Sequence, residues 1–326
     1  MKQKLRFRRD GTFKLMMFSD FQDTLPIDGR SLRLLRALLE SEKPDFVFSA
    51  GDQHAGGVRS EEEFRAYARA FSEPMEETGI YWSHVFGNHD DENSPACDKF
   101  RQQAIYEELP HCLSEAGPEG IGGVGNYVLP VYPHEGETVA LNLWALDSNR
   151  YLADNAWLDG SWCLPHTGIG GNGYDVVKFP QIRFYWDTSV ALEQAAGRAV
   201  PGLMFLHIPL PEHRLVAQNP EQTGMSGEVN EEICNSALNS GLFAAVLQRG
   251  DICGIFAGHD HSNTFVGRYC GVALGYDGSI GYGDYGLAPA DARGRDALRG
   301  ARFFVVDERA PRNFTTYMRF AAEFGL

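Results

Sequence analysis

The stretch KLMMFSDFQDT, Lys14 to Thr24, decides how the rest of the chain is read. An apolar run, Leu15-Met16-Met17-Phe18, ends abruptly in Ser19-Asp20-Phe21-Gln22-Asp23. Such a run reads as a buried strand that delivers a carboxylate at its C-terminal tip. The same arrangement recurs downstream. The leucines of SLRLLRALLESE (31–42) mark one helical face, and PDFVFSAGD (44–52) is a strand opened by a proline. SEEEFRAYARAFSEPMEETG (60–79) reads as a helix with Ser60 as N-cap and glutamates in its first turn. IYWSHVFGNHD (80–90) is a third strand. Strands alternating with helices imply right-handed crossovers and a largely parallel sheet.

The second half carries more strand signal: YVLPVY (127–132), VALNLWALDS (139–148), GLMFLHIPL (202–210), ICGIFAGHDH (252–261), GVALGY (271–276) and RFFVVDE (302–308), with TTYMRF (315–320) as an edge strand. Helices are expected over 181–196 and 241–249, the latter stopped by Gly250. So many strands exceed what one open sheet comfortably holds. An α/β architecture of two packed sheets with helices outside follows. With neither repeat nor linker, residues 1–326 read as a single domain. Residues 149–179, with Trp157, Trp162 and His166, form a long loop that reads as a lid.

Composition sets limits on function. The chain has 326 residues, is 43% hydrophobic and 22% charged, and carries a formal charge of −15. That acidity argues against a protein built on contacts to nucleic-acid phosphates. No run is long enough to span a bilayer, and MKQKLRFRRDGTFK (1–14) is basic without a following apolar region. The six cysteines include no C-x-x-C pair and read as reduced thiols. A soluble, cytoplasmic protein is expected.

Five polar clusters end apolar runs: Asp20-Phe21-Gln22, Gly51-Asp52-Gln53-His54, Gly87-Asn88-His89-Asp90, Leu206-His207 and Gly258-His259-Asp260-His261. The carboxyl edge of an α/β sheet is where ligands bind, so the clusters are expected to converge. Carboxylates and imidazoles together suit a pair of Mn, Fe, Zn, Ni or Co ions. In an extended segment residues i and i+2 share a side. On that basis His259 and His261 face inward with Asp260 turned away, and Asp20 and Gln22 point together. Gly51, Gly87 and Gly258 each precede a presumed ligand, as tight strand exits require.

This order of motifs resembles the calcineurin-like metallophosphoesterase family, and within it the purple-acid-phosphatase-like branch. The resemblance rests on FSDFQDT (18–24), GDQ (51–53), WSHVFGNHDDE (82–92), FLHIPLPE (205–212), GLFAAVLQRGDICGIFAGHDHSNTFVG (241–267) and ALGYDGSIGYGDYG (273–286). It implies a four-layer αββα sandwich of two mixed β-sheets and a dinuclear centre of divalent or mixed-valence ions. Carried over by position, Asp20 and His261 would bind the first metal, and Asn88, His207 and His259 the second, with Asp52 bridging. Gln22 stands where most members have a ligating histidine. His89 would face the leaving group, with Asp90 orienting it. Ala55 occupies the position of the tyrosine that colours the true purple enzymes, so no iron–tyrosinate chromophore is expected.

The resemblance implies phosphoester hydrolysis, with a phosphomonoesterase as the first expectation. A small phosphorylated molecule or phosphoprotein would be the substrate. A phosphodiesterase acting on a nucleotide or phospholipid head group is the alternative, and a non-catalytic scaffold of the same fold is the third reading. His54 is two residues past Asp52 and competes for the role of a compensating ligand. Its place at the start of the loop HAGGVRS (54–60) favours solvent or a supporting carbonyl instead. Tyr276 and Tyr282, in the glycine-rich segment 275–286, are candidates for a pocket wall or for a structural hairpin. His213 reads as a surface or pocket-rim residue, His84 as core, and Arg150 and Arg183 as candidate phosphate clamps.

Overall fold

The computed structural model describes residues 4–155, 173–287 and 293–326. After a two-residue strand β1 (Leu5–Arg6), the Lys14 stretch forms β2 (Thr12–Phe18). Leu15 and Met17 pack toward one hydrophobic cluster while Met16 and Phe18 pack toward another. This is why the run lacks polar alternation: both faces of the strand are buried. β2 pairs in parallel with β3 (Phe46–Ala50), which pairs in parallel with β4 (Trp82–Val85). The intervening helices are α1 (Gly29–Glu42) and α2 (Glu61–Thr78). Asp28 caps α1, and the Ser60 side chain caps α2 by accepting from Glu63 N. The helix α3 (Lys99–Tyr106) follows β4.

The second sheet is built mainly from the latter half of the chain. It contains β5 (Tyr127–Tyr132), β6 (Leu141–Ala145), β7 (Gly202–Leu206), β8 (Ile252–Ala257), β9 (Val266–Tyr269) and β10 (Val272–Tyr276), in the order β1-β5-β6-β7-β8-β10-β9. Its helices are α4 (Phe179–Ala196), α5 (Pro211–Gln218), the short α6 (Pro220–Thr223) and α7 (Leu242–Arg249). The chain then returns to the first sheet with β11 (Gly300–Asp307) and the edge strand β12 (Phe314–Phe320), giving the order β12-β11-β2-β3-β4. Both sheets are mixed.

The layers are held by three clusters. Phe48 stacks on Phe205 at 4.4 Å between ring centres, and Phe304 meets Phe256 edge-on at 4.5 Å, interlocking the two sheets. The other clusters seat α1 to α3 on the five-stranded sheet and α4, α5 and α7 on the seven-stranded one. The result is the expected αββα sandwich. Helices α3 and α5 and strands β1 and β9 were not expected from the sequence. The presumed lid residues Trp157, Trp162 and His166 lie outside the described residues. Among the described residues no helix is long and apolar enough to cross a membrane.

Two histidines are buried in this framework. His84 in β4 lies among Trp82, Phe86 and Tyr106 with neither ring nitrogen hydrogen-bonded, and burial pushes it down to about 3. His213 in α5, expected at the surface, is fully buried beside Tyr276, and burial lowers it to about 4. An unfolded chain protonates such residues near 6.5, so their neutral burial stabilises the protein above that pH. That stability is lost progressively as pH falls from about 6.5 toward 4, and the loss reaches about 2 kcal/mol each by pH 5. His84→Phe is therefore expected to flatten the decline in urea-unfolding free energy between pH 7 and 5. Equal declines in variant and parent would contradict this account.

Candidate metal centre

Strands β2, β3 and β4 are neighbours in one sheet, and β7 and β8 in the other, so their C-terminal ends meet at one edge of the sandwich. The exits of β2 and β3 are tied by the backbone: Asp20 N donates to Gly51 O at 3.0 Å and Gln22 N to Asp52 O at 2.9 Å. Asp52 is central. Its Oδ1 accepts from His89 N at 2.8 Å, and its Oδ2 lies 3.1 Å from His207 Nε2. His207 Nδ1 is held by Ala50 O at 2.9 Å, which leaves Nε2 as the nitrogen that faces the cluster. His259 Nδ1 lies 3.3 Å from His207 Nε2, and His259 N donates to Asp20 Oδ2 at 2.9 Å. His261 Nε2 is 3.3 Å from Asp20 Oδ1. The structure thus brings together the side chains of Asp20, Asp52, His207, His259 and His261, with His89 tied to them through its backbone N–H.

The backbone achieves this differently from the extended segments expected. Asp20, Gln22, Asp52 and His259 have φ of 52°, 42°, 50° and 76°. These are left-handed conformations that cost most residues about 1 kcal/mol or more and that cluster at functional sites. Side-chain direction here is set by four such turns rather than by strand alternation. Asp260 does turn away: it accepts from Cys234 N and lies against Tyr276. The glycines mark close approaches. A Cβ on Gly51 would lie 2.5 Å from His207 Cγ, and one on Gly258 would lie 2.5 Å from Ser19 Oγ.

Among the described residues, four buried polar atoms in this region lack a well-formed hydrogen bond: Asp20 Oδ1, which has only the 3.3 Å approach of His261 Nε2, Gln22 Oε1, Asn88 Oδ1 and His259 Nε2. Buried polar atoms are mostly satisfied, and the placement of these four on neighbouring strand exits around Asp52 suits a cation held among them. Three oxygens and one nitrogen, beside the carboxylate of Asp52, are donors suited to divalent cations. Ligand atoms of Asp52, His207 and His259 also lie within 4.8 Å of one another, all buried. The residues present fit the metals that the resemblance implies. Electrostatics agree. Burial works to lower His207, yet the Asp52 and Asp20 carboxylates raise it to about 10. Burial and the charge on His207 together press His259 down to about 3. One positive charge, on His207, is therefore held between the Asp52 and Asp20 carboxylates, and a second on His259 is disfavoured.

Several expectations are corrected. Asp90 does not touch His89. It accepts from Asp52 N, His54 N and Gly87 N at 3.0, 2.9 and 2.7 Å, bracing the loops, and burial with the nearby Asp52 charge raises it to about 7. The group on His89 is Glu92, whose Oε2 lies 2.7 Å from Nδ1. His54 is neither exposed nor beside the donors. It is buried edge-on to Tyr67, accepts from Gly56 N, and is lowered by burial to about 4. Tyr276 sits behind Asp260, against His213. Tyr282 turns the other way, between Arg30 and Arg299. The tyrosine of that segment that meets the cluster is Tyr285, stacked on His261 at 4.0 Å with its carbonyl on His261 Nδ1. Tyr151 and Tyr174 also reach the site: Tyr151 through Asn88 Nδ2, and Tyr174 edge-on to His259 at 4.3 Å. Arg150 is paired with Asp91 and Asp154, and Arg183 with Asp187 on an exposed helix face, so neither is free to clamp phosphate. Glu92 was within reach of the sequence, three residues past His89 in one turn. Tyr285 lay in the glycine-rich segment already singled out, whereas Tyr151 and Tyr174 carried no local signal.

Comparisons with known proteins agree with this fold. A probable inactive purple acid phosphatase, number 14, of Arabidopsis thaliana is 32% identical over 317 residues, covering 87% of this chain and 74% of the relative. The phosphatase DCR2 of Saccharomyces cerevisiae is 26% identical over 293 residues, covering 82% of this chain and 47% of its own length. Among solved structures, a dimetal phosphatase from Danio rerio superposes with a TM-score of 0.54 at 13% identity, over 94% of this chain and 98% of that one, a likeness of fold. A model of the calcineurin-like phosphoesterase family matches residues 13–263. This chain belongs to the calcineurin-like phosphoesterase family.

Proposed function

We propose that the protein is a metal-dependent phosphoester hydrolase with a dinuclear centre, acting on phosphomonoesters of small molecules or of phosphoproteins. The observation that carries this reading is the set of four orphaned donor atoms beside Asp52 and His207. Asp20, Gln22 and His261 would hold one cation and Asn88, His207 and His259 the other, with Asp52 between them. Bound there, the ions would neutralise phosphate charge and supply Lewis acidity to phosphoryl oxygen and water. His89 is one-third exposed, with a side-chain relative exposure of 34%, and its backbone is pinned to Asp52. Its Nδ1 faces Glu92, which leaves Nε2 for the leaving group. As imidazolium it gives the Nε2 proton to the departing alkoxide as the P–O bond breaks, and regains a proton from solvent.

Elemental analysis combined with a panel of mono- and diesters across Mn, Fe, Zn, Ni, Co and Mg tests this. Monoester turnover that is lost on chelation and restored by metal is the expected result. Faster turnover of diesters under every metal would replace the monoesterase by the phosphodiesterase. A metal-binding scaffold without turnover is favoured by Gln22 and by the word inactive in the names of the Arabidopsis relatives. Bound metal with no turnover in the panel would establish it.

Gln22 sharpens the metal expectation. An amide oxygen is a weaker donor to borderline metals than an imidazole nitrogen, so one half of the centre should exchange its ion more readily. Gln22→His is expected to tighten that half by about 10-fold in a zinc titration. An unchanged titration would place Gln22 outside the coordination shell.

A further inference from the structure

Asn88 and His89 are adjacent, and each side chain has two ways of being set. A neutral imidazole carries its proton on either nitrogen, and an asparagine amide can be turned end for end. The structure ties both choices to one carboxylate. Asn88 Nδ2 donates to the Tyr151 hydroxyl at 3.2 Å, and that hydroxyl donates to Glu92 Oε1 at 3.3 Å. The other oxygen, Glu92 Oε2, lies 2.7 Å from His89 Nδ1.

The direction of these bonds is forced. An ionised carboxylate only accepts, so His89 Nδ1 and the Tyr151 hydroxyl must both donate to it. A hydroxyl has one proton, and once that proton points at Glu92 only a lone pair remains for Asn88. The Asn88 nitrogen therefore faces Tyr151 and the amide oxygen faces away, where Oδ1 is buried without a hydrogen bond. With Nδ1 already protonated, the nitrogen of His89 that exchanges a proton is Nε2.

We propose that Glu92, acting through Tyr151 and His89, is a positioning residue that decides which end of the Asn88 amide faces the metal centre and which nitrogen of His89 exchanges a proton. The role of His89 in this statement rests on the phosphoesterase reading above; the orientation of both side chains does not. Glu92 is one-third exposed, with a side-chain relative exposure of 33%, so its carboxylate can be removed without opening the core.

The test uses the full chain loaded with zinc, which is diamagnetic, in Glu92→Ala, Glu92→Gln and Tyr151→Phe. The tautomer of neutral His89 is read from its ring nitrogen-15 shifts, identified by their loss in His89→Gln. The parent and Tyr151→Phe are expected to hold the proton on Nδ1. Glu92→Ala is expected to give a mixture dominated by Nε2–H, and Glu92→Gln, which keeps an acceptor oxygen, to restore Nδ1–H. Tyr151→Phe, which frees the amide, should weaken binding of one zinc by about 10-fold, and Glu92→Ala should do likewise. In turnover, Glu92→Ala should fall about 10²-fold on glycerol phosphate but less than about 3-fold on p-nitrophenyl phosphate, whose leaving group needs no proton. Persistence of Nδ1–H in Glu92→Ala would overturn the proposal, as would zinc binding unchanged in both Tyr151→Phe and Glu92→Ala. If the parent turns over no substrate, the phosphoesterase reading falls while the tautomer and zinc measurements still decide the role of Glu92.

Discussion

Asp52→Asn is expected to lower kcat/KM by about 10³-fold or more and to strip bound metal while leaving the fold intact. The side chain is buried with one oxygen on His89 N and the other 3.1 Å from His207 Nε2. An asparagine must offer its oxygen to the His89 N–H, because that donor has no alternative acceptor. Its amino group then points at His207 Nε2 and occupies the lone pair that a cation would need. One substitution removes a negative charge and blocks a nitrogen donor together. Elemental analysis, steady-state kinetics and far-ultraviolet circular dichroism check the three parts. Full metal content in the variant would show that Asp52 is not the pivot of the site.

Gly87→Ala is expected to lower Tm by on the order of 5 °C and kcat/KM by about 10²-fold. A Cβ at this position would lie 2.5 Å from the backbone nitrogen of Asp52 and closer still to Asp52 Oδ1. A flexible side-chain end could swing aside, but a backbone nitrogen cannot. Asp52 N is itself bonded to Asp90 Oδ2, which also accepts from Gly87 N, so the two loops must separate as a unit. Displacing that unit moves Asp52, Asn88 and His89 together. Gly173→Ala, where a Cβ meets nothing within 4 Å among the described residues, is the matched control and should change neither quantity. A Gly87→Ala protein with parental melting and turnover would mean the loops have room that the structure denies.

Strands β3, β4, β6, β7, β8 and β10 were legible because each buries both faces, so that the apolar run is itself the signal. Helix α3 was not, for a matching reason. Its buried side chains include Lys99, Gln102 and Gln103, whose nitrogens find partners: Gln102 Nε2 in Asp90 O and Cys97 O, Gln103 Nε2 in Glu107, and Lys99 Nζ in Asp147. A helix that buries hydrogen-bonded polar groups carries no apolar stripe to read. His213 was misplaced by the same blindness: PEHR looks solvated, yet its imidazole fills space beside Tyr276 and accepts from Leu210 N.

At the site, the sequence by itself determined the donor types, their order along the chain, and their position at the exits of five strands. It did so because strand ends and the glycines after them are local features of a few residues. Only the tertiary structure decided which groups serve them. Glu92 rather than Asp90 meets His89, Tyr285 rather than Tyr282 lies on His261, and His54 is buried against Tyr67. These choices turn on left-handed conformations at Asp20, Gln22, Asp52 and His259, where the next side chain is not bound by strand alternation. Such conformations are held by contacts between distant segments, as between Gly51 and His207, and no local stretch of sequence contains both partners.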